Sequence, residues 1–316
     1  MPKPREIKLR QKAVRNIHKI TKVMKMIATA RYQKAFKRSR GTRPYAEQLR
    51  GLLDSFMRSP EARSAWQRHP LFKPRPIRRS AILIVTSNRG LAGGYNSRIL
   101  RLAMANIQAL EKSGQMVDVH IIGKKGAAYF RFNRRAVAAA YTTLADSPRF
   151  AEAVPIAECL EDDYAAGRID AVKLVYMRFF SVGRQGPVAV DLLPLASEAP
   201  GHNGVSNPGA TALAASTAVS PSQNPATPGA AAAFDFSPDP GPLLAELMPD
   251  LLKSAIFQAL VDASVSEQIA RMVAMTAATD NAETMGRQLS RAYNRARQTQ
   301  ITSALSELMG GVEALA

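Results

Sequence analysis

The chain has 316 residues, a mass of 34.2 kDa and a formal net charge of +18 at pH 7, and 46% of its residues are hydrophobic. Its apolar runs fall short of the ~18 residues that a membrane-spanning helix needs, which argues against a transmembrane protein. The single cysteine, Cys159, excludes an intrachain disulfide, and the four widely separated histidines argue against a histidine-rich metal cluster.

Residues 1–57 are predicted to form one long N-terminal coiled-coil helix. Apolar or small side chains recur every seven residues, which indicates a heptad seam. Ile20, Val23 and Ile27 form a second apolar stripe, so this helix is expected to touch more than one neighbour. Pro44 is expected either to kink the helix or to be absorbed near its first breakpoint. The Pro- and Arg-rich residues 58–80 are interpreted as a linker.

The excess positive charge lies in the first quarter of the chain. Residues 1–80 hold 23 Lys and Arg but only 4 Asp and Glu. Such asymmetry points to an acidic partner, which is a nucleic acid, an anionic membrane or an acidic protein surface. The alternative interpretation is a solvated face on a long helix.

Residues 81–195 are predicted to form a small Rossmann-like α/β domain. The continuous apolar run at 81–85 is typical of a buried parallel strand. Strand and helix patterns then alternate, as in layered α/β domains. Further strands are predicted at 117–122, 171–180 and 188–193, and helices from about 97 to 113, just after Gly123 and at 153–167.

The C-terminal part is predicted to be a low-complexity insert followed by a second long helix. Residues 196–236 are rich in Ala, Pro, Gly and Ser, and residues 199–234 contain no charged side chain, so this insert is expected to be disordered. Residues 242–316 are predicted to form a C-terminal coiled-coil helix, with a break or bend near Pro249. Its seam is predicted at Met275, Ala278, Ala282, Met285, Leu289, Ala292 and Ala296.

The two terminal helices are expected to pair with each other in antiparallel fashion. The predicted fold is therefore an α/β domain at the base of a long coiled-coil rod. After Gln300 the apolar face of the C-terminal helix changes phase, which suggests that its tip meets a different neighbour. This second stripe contains Ile301, Leu305, Leu308, Val312 and Leu315.

No catalytic or cofactor site is predicted. The Gly-rich loop at 88–96 follows a strand, but it lacks both the P-loop spacing and the G-x-G-x-x-G spacing, so a tight strand-to-helix turn is the favoured interpretation. Asp162 and Asp163 are adjacent and do not share a helix face. We expect no cofactor, no metal ion and no catalytic residue in this chain.

Four segments, in this order, resemble the gamma subunit of F-type ATP synthases, the central rotor shaft. Residues 20–28 read ITKVMKMIA and are followed by RPYA at 43–46; residues 88–96 read NRGLAGGYN. Residues 266–275 read SEQIARMVAM and continue into ATDNA at 278–282. The fourth segment, YNRARQ at 293–298, is followed by Ile301-Thr302.

The resemblance implies a rotating, non-catalytic stalk that couples proton or sodium flow to ATP synthesis or hydrolysis. The implied partners are the alpha and beta subunits around the coil, with the epsilon subunit and the c-subunit ring at the α/β domain. The implied apolar bearing is the tip stripe described above. Motif matching places the beta-subunit contact at Lys22, Met24, Lys25, Arg297, Gln298 and Thr302. In the alternative interpretation, Met24 packs in the seam of the coil and Lys22 and Lys25 are solvated.

Several positions depart from the family pattern, among them Ala92, where Cys is common, and Val312, where Ala is usual. Asn88 stands where Asp is usual, Ala304 where Glu is usual, and Ser237 where an acidic residue is common. The match to the family begins within the first few residues and leaves no room for a mitochondrial transit peptide. We therefore expect a bacterial protein on the cytoplasmic face of the inner membrane. Two other classes remain as alternatives: a basic nucleic-acid-binding helical hairpin, and an α/β enzyme with coiled-coil arms. The hairpin would account for the charge but not for the motifs.

Overall fold

The computed structural model describes residues 4–58, 75–194 and 240–313. The predicted insert at 196–236 and most of the linker at 58–80 lie outside the described residues. The described elements, in chain order, are α1 (Pro4–Arg58), β1 (Arg79–Val85), α2 (Tyr95–Lys112), β2 (Met116–Ile122), α3 (Lys124–Phe132), β3 (Ala139–Tyr141), α4 (Phe150–Ala165), β4 (Ala171–Phe179), β5 (Gln185–Leu193) and α5 (Pro240–Glu313).

The five strands form one mixed sheet in the order β3-β2-β1-β4-β5. β1 pairs in parallel with β2 and β4, and β2 pairs in parallel with β3, whereas β4 and β5 are antiparallel. β1 is the central strand and is buried on both faces, which accounts for its uninterrupted apolar sequence. The three parallel neighbours β3, β2 and β1 have the order found in half of a Rossmann fold.

Helices cover both faces of the sheet. Ile82 and Ile84 point toward a core that they share with α2 and α3. Leu83 and Val85 point the other way, into a core that contains side chains of α4 and the first third of α5. The long C-terminal helix is therefore a structural layer of the α/β domain before it becomes part of the coil.

α1 and α5 pack side by side in opposite directions. The α1–α5 contacts join Val14 to Gly286, Thr21 to Thr279, Ser39 to Asp262, and Thr42 to Gln258. In each contact the two residue numbers add up to 300 or 301, so the register is constant along this stretch. This arrangement, an antiparallel helical rod with an α/β domain, confirms the predicted fold class.

Three local features differ from the sequence predictions. β3 was not predicted, because three residues of sequence Ala-Ala-Tyr carry no strand pattern. α5 continues through Pro249, where a break or bend was expected. α4 begins at Phe150, three residues before the predicted start at 153, and it contains Pro155. Proline removes one hydrogen bond near a helix start, and packing against the core compensates for that loss.

Candidate functional site

α5 leaves the α/β domain near Ala274 and continues as part of a free coil. Two of its serine hydroxyls donate hydrogen bonds to the domain: Ser264 to the carbonyl of Asp146 (3.0 Å) and Ser266 to the carbonyl of Met177 (3.4 Å). Further along, Ala274 lies against Gly93 of the Gly-rich loop. Beyond this point α5 packs along the first half of α1.

The end of α5 extends past the start of α1. Because paired residue numbers add up to about 300, the first described residue of α1, Pro4, is level with residue 296 of α5. Residues 297–313 of α5 therefore project beyond α1, over about 25 Å at 1.5 Å per residue. Among the described residues, the coil is two-stranded below this level and single-stranded above it.

The seam of the coil agrees with the predicted one at every seventh residue and differs at positions between these residues. Met275 and Ala282 are buried, and Ala278, Leu289 and Ala296 are half-buried, but Met285 is 51% exposed and Ala292 is exposed, which corrects the prediction at these two positions. The side facing α1 instead includes Thr279, Gly286 and Tyr293, which lie four residues after Met275, Ala282 and Leu289.

Less apolar residues take these seam positions for a physical reason. Thr279 donates a hydrogen bond of 2.9 Å to the hydroxyl of Thr21 on α1, and Thr21 is buried. Gly286 faces Val14 of α1 and contributes no apolar side chain to the seam. A hydrophobicity pattern counts neither a threonine pair nor a glycine as a contact, and it therefore selects Met285 and Ala292.

The predicted beta-subunit contact residues form two separate groups. Lys22 is exposed and Met24 and Lys25 are half-buried, at the level where α1 faces residues 275–278 of α5. Arg297, Gln298 and Thr302 are exposed on the projecting end of α5. About 20 residues separate the two levels along α5, or about 30 Å. One partner surface touching both groups must extend over that distance.

The predicted apolar tip is exposed where its side chains are described. Ile301, Leu305 and Leu308 are 48%, 56% and 68% exposed, and Ala304, which stands in place of the usual acidic residue, is exposed too. Val312 belongs to α5, and Leu315 lies outside the described residues. Isolated apolar residues at a surface are ordinary, but this group is contiguous on a helix end that pairs with no other described element, which is typical of an interaction surface.

A second exposed apolar stripe runs along α1, on a side that does not face α5. It consists of Ile17, Ile20, Val23 and Ile27, each about half exposed. Lys19, Lys22 and Lys25 alternate with these residues. Residues 4–30 hold eight Lys and Arg and one acidic residue. The free coil therefore offers a basic surface with apolar contacts along it, and the stripe predicted at Ile20, Val23 and Ile27 is open to a partner.

The Gly-rich loop at 88–96 is a docking loop for α5. Gly93 has a φ of +55°, which favours glycine, and it faces Ala274 of α5. Asn96 holds the base of the loop by accepting a hydrogen bond from the backbone N–H of Ser87 (3.0 Å). The contact with α5 supports the turn interpretation over a phosphate cradle.

Asn88, which departs from the family pattern, uses both ends of its amide. Its Nδ2 donates to the carbonyl of Leu144 (2.8 Å), and its Oδ1 accepts from the backbone N–H of Lys124 (3.2 Å). An ionised aspartate has two acceptor oxygens and no donor, so it would not make the bond to Leu144. The asparagine therefore joins three loops at this edge of the sheet.

Arg271 joins α5 to the Gly-rich loop and also forms a buried ion pair within α5. Arg271 pairs with Glu267 at 2.7 Å and donates to the carbonyl of Gly90 at 3.3 Å; the side chains of Arg271 and Glu267 are 10% and 14% exposed. Burial raises the pKa of Glu267, and the guanidinium of Arg271 opposes that rise. Tyr95 donates to the carbonyl of Ala263 at 3.2 Å, and burial raises its pKa well above the usual value.

Within the part of the chain that the structure describes, no group of three or more His, Cys, Asp or Glu side chains is arranged to hold a metal ion. The same residues contain no helix that is long and apolar enough to cross a membrane. The features that stand out are instead the free coil, its apolar stripes and its attachment to the α/β domain.

Comparisons with known proteins agree with this geometry. A family model described as ATP synthase matches residues 3–315. The ATP synthase gamma chain of Leptospira biflexa is 35% identical over 315 residues and is aligned over 100% of both chains. That of Rhodopirellula baltica is 37% identical over 316 residues, covering 100% of this chain and 99% of the relative.

Solved structures share the fold at lower identity. A chain of the Euglena gracilis mitochondrial ATP synthase has a TM-score of 0.64 at 18% identity, covering 99% of this chain and 94% of its own. A chain from the central stalk and c-ring structure of the Tetrahymena thermophila enzyme has a TM-score of 0.57 at 19% identity, covering 82% of this chain and 99% of its own.

The fold and the exposed surfaces define an elongated, non-globular subunit built around an antiparallel helical shaft. The chain belongs to the family of ATP synthase gamma chains, the central-stalk subunit of F-type ATP synthases. The comparisons give no support to a nucleic-acid-binding hairpin. The basic charge of α1 is therefore to be explained within an assembly of protein subunits.

Proposed function

We propose that this chain is the rotating shaft that couples ion translocation through a membrane sector to ATP synthesis or hydrolysis in a surrounding ring of subunits. The observation that carries the proposal is the free part of α5. Residues 275–313 stand clear of the α/β domain over about 60 Å at 1.5 Å per residue. A helix of this length, with exposed apolar side chains, suits a lever inside a larger assembly.

The partners proposed for the coil are the alpha and beta subunits. The basic side chains of α1 favour acidic loops on the beta subunits, because opposite charges attract and orient the contact. Lys22, Met24 and Lys25 are the proposed lower contact. Arg297, Gln298 and Thr302 are the proposed upper contact, and the tip from Ile301 onward turns within an apolar sleeve.

Rotation by itself changes which face each beta subunit meets. Two helices side by side, and a single helix above them, have no three-fold symmetry. Three equivalent subunits around such a shaft therefore meet three different surfaces at any moment. As the shaft turns, these surfaces pass from one subunit to the next, which provides a physical route for changing the nucleotide affinity of each site. This chain supplies force and position, and the chemistry takes place in its partners.

The epsilon subunit and the c-subunit ring are the partners proposed for the α/β domain. β1 runs from Arg79 toward Val85 and the loop that holds α5. The first residues of β1 and β2, Arg79 and Met116, therefore lie at the end of the domain that is remote from the free coil. We propose that this end of the domain contacts the c-subunit ring. We accordingly place the chain at the cytoplasmic face of a bacterial inner membrane, as a peripheral subunit.

Affinity isolation from membranes tests the proposal. A tagged chain is expected to bring down alpha, beta, epsilon and c subunits together, in a complex that hydrolyses ATP and pumps ions in sealed vesicles. Washing in high salt before detergent extraction removes proteins held only by the basic charge. Recovery of nucleic acid or of unrelated acidic proteins, without alpha and beta subunits, would contradict the proposed function.

A further inference from the structure

The loop between β3 and α4 contacts both helices of the shaft. We call residues 144–147 the clamp loop. On the α1 side, the guanidinium of Arg31 pairs with the carboxylate of Asp146 at 2.8 Å, and Arg38 donates to the hydroxyl of Ser147 at 2.9 Å. On the α5 side, Ser264 donates to the backbone carbonyl of Asp146 at 3.0 Å.

These contacts lie within a short length of the shaft. With paired residue numbers adding up to about 300, Arg31 is level with residue 269 of α5, and Ser264 is level with residue 36 of α1. The difference is five residues, or about 8 Å along the axis. The clamp loop therefore contacts both helices at nearly the same level along the shaft axis, just below the point where the coil leaves the α/β domain.

Asp146 also joins the clamp loop to the Gly-rich loop. Its carboxylate lies 3.3 Å from Nε of Arg89, and the neighbouring Leu144 carbonyl accepts the hydrogen bond from Asn88. The Gly-rich loop in turn holds α5 through Gly90 and Arg271. Asp146 is thus a residue through which α1, α5 and the docking loop are all connected.

We propose that Asp146 is a positioning residue that fixes the angle between the α/β domain and the two-helix shaft and so transmits torque. The inference rests on the proposed rotary function. A domain attached to one helix can pivot about that helix, whereas attachment to two helices at one height fixes its orientation. Contacts of the apolar core hold the parts together but are not directional. The ion pair and the hydrogen bonds of Asp146 are directional, and they therefore restrict the angle between the α/β domain and the shaft.

The same contacts contribute little to stability. The side chains of Asp146, Arg31 and Arg89 are 27%, 41% and 64% exposed, and ion pairs this exposed are weak in water. Loss of the carboxylate is therefore expected to leave folding and assembly intact while loosening the joint. This separation of stability from stiffness distinguishes a positioning role from a structural one.

The test uses the intact complex with D146N, and D191N as the matched control. Asp191 loses the same charge in the same domain, where it pairs with Lys173 away from both shaft helices. D146N is expected to keep normal complex yield and normal ATP hydrolysis without load. It is expected to pump fewer ions per ATP hydrolysed as the gradient builds up, and to broaden the angular fluctuation of a probe fixed to the α/β domain. D191N is expected to match wild type throughout, and D146E to recover part of the loss.

Two results overturn the inference. Equal pumping and equal angular fluctuation in D146N and wild type show that the joint does not depend on Asp146. Failure of D146N to assemble, while D191N assembles, shows that Asp146 is structural. Absence of rotation and pumping in the wild-type complex would instead contradict the proposed function itself, so the two failures are distinguishable.

Discussion

Replacing Arg271 by methionine removes one charge from the ion pair with Glu267 within α5, and it removes the hydrogen bond that joins α5 to the docking loop. Glu267 then remains buried without its partner, and the carbonyl of Gly90 loses a donor. Breaking a buried pair in this way costs roughly 3–5 kcal/mol. Because both side chains keep slight solvent contact, we expect R271M to lower the free energy of unfolding by about 3 kcal/mol, the lower end of that range.

The double variant E267M/R271M separates the charge from the packing. Removing both charges at once leaves no unpaired group, and apolar side chains of similar size are then often neutral or stabilising. We therefore expect the double variant to recover most of the stability that R271M loses. Urea unfolding of the full chain, followed by circular dichroism for wild type, both single variants and the double variant, gives the coupling energy.

The pH dependence of R271M gives a second check. Burial raises the pKa of Glu267 in the folded state, and losing Arg271 raises it further. A carboxyl with a raised folded pKa contributes stability below its unfolded pKa and loses that contribution as the pH rises through the folded value. The deficit of R271M is therefore expected to shrink as the pH falls from 8 toward about 5. A deficit below about 1 kcal/mol, or one equal at both pH values, would refute the buried-pair reasoning.

The remaining predictions concern the projecting helix and the sheet. R297L/Q298L is expected to lower ATP turnover of the complex at unchanged yield, because charge-assisted bonds to a partner are lost; unchanged turnover removes both residues from the contact. Deleting residues 307–316 is expected to reduce complex yield more than ion pumping per complex, because apolar contact is non-directional; the reverse result shows that the tip carries directional force. Burial lowers the pKa of His120, so wild type is expected to lose stability in urea unfolding as the pH falls below about 6.5, and H120N to lose less.

Sequence patterns predicted the elements whose signal is periodic and long. The apolar run at 81–85 and the heptads of both terminal helices were enough to predict a central strand and an antiparallel rod. The three-residue β3 was missed, because pairing with β2 forms it and its own sequence does not. The continuity of α5 through Pro249 depends on packing between α5 and the domain, which no local rule reports.

The candidate site was predictable only in part. Motif resemblance selected Lys22 and Arg297 together, but their separation along the shaft depends on the register between two helices that are more than 200 residues apart in sequence. The roles of Gly93 and Asn88 likewise required the fold, since Ala274 and Leu144 are distant in sequence. Asp146 had no sequence signal, because its three partners come from three different segments.

The constant register between α1 and α5 restricts how this shaft can change in length during evolution. A residue inserted into α1 between Val14 and Thr42 displaces every later pair unless α5 gains a residue at the facing position. Coordinated insertions of seven residues in both helices would preserve the seam and lengthen the shaft by about 10 Å. The end beyond residue 296 has no such partner among the residues that the structure describes, so it is free to vary by single residues and to adjust to the depth of its surroundings.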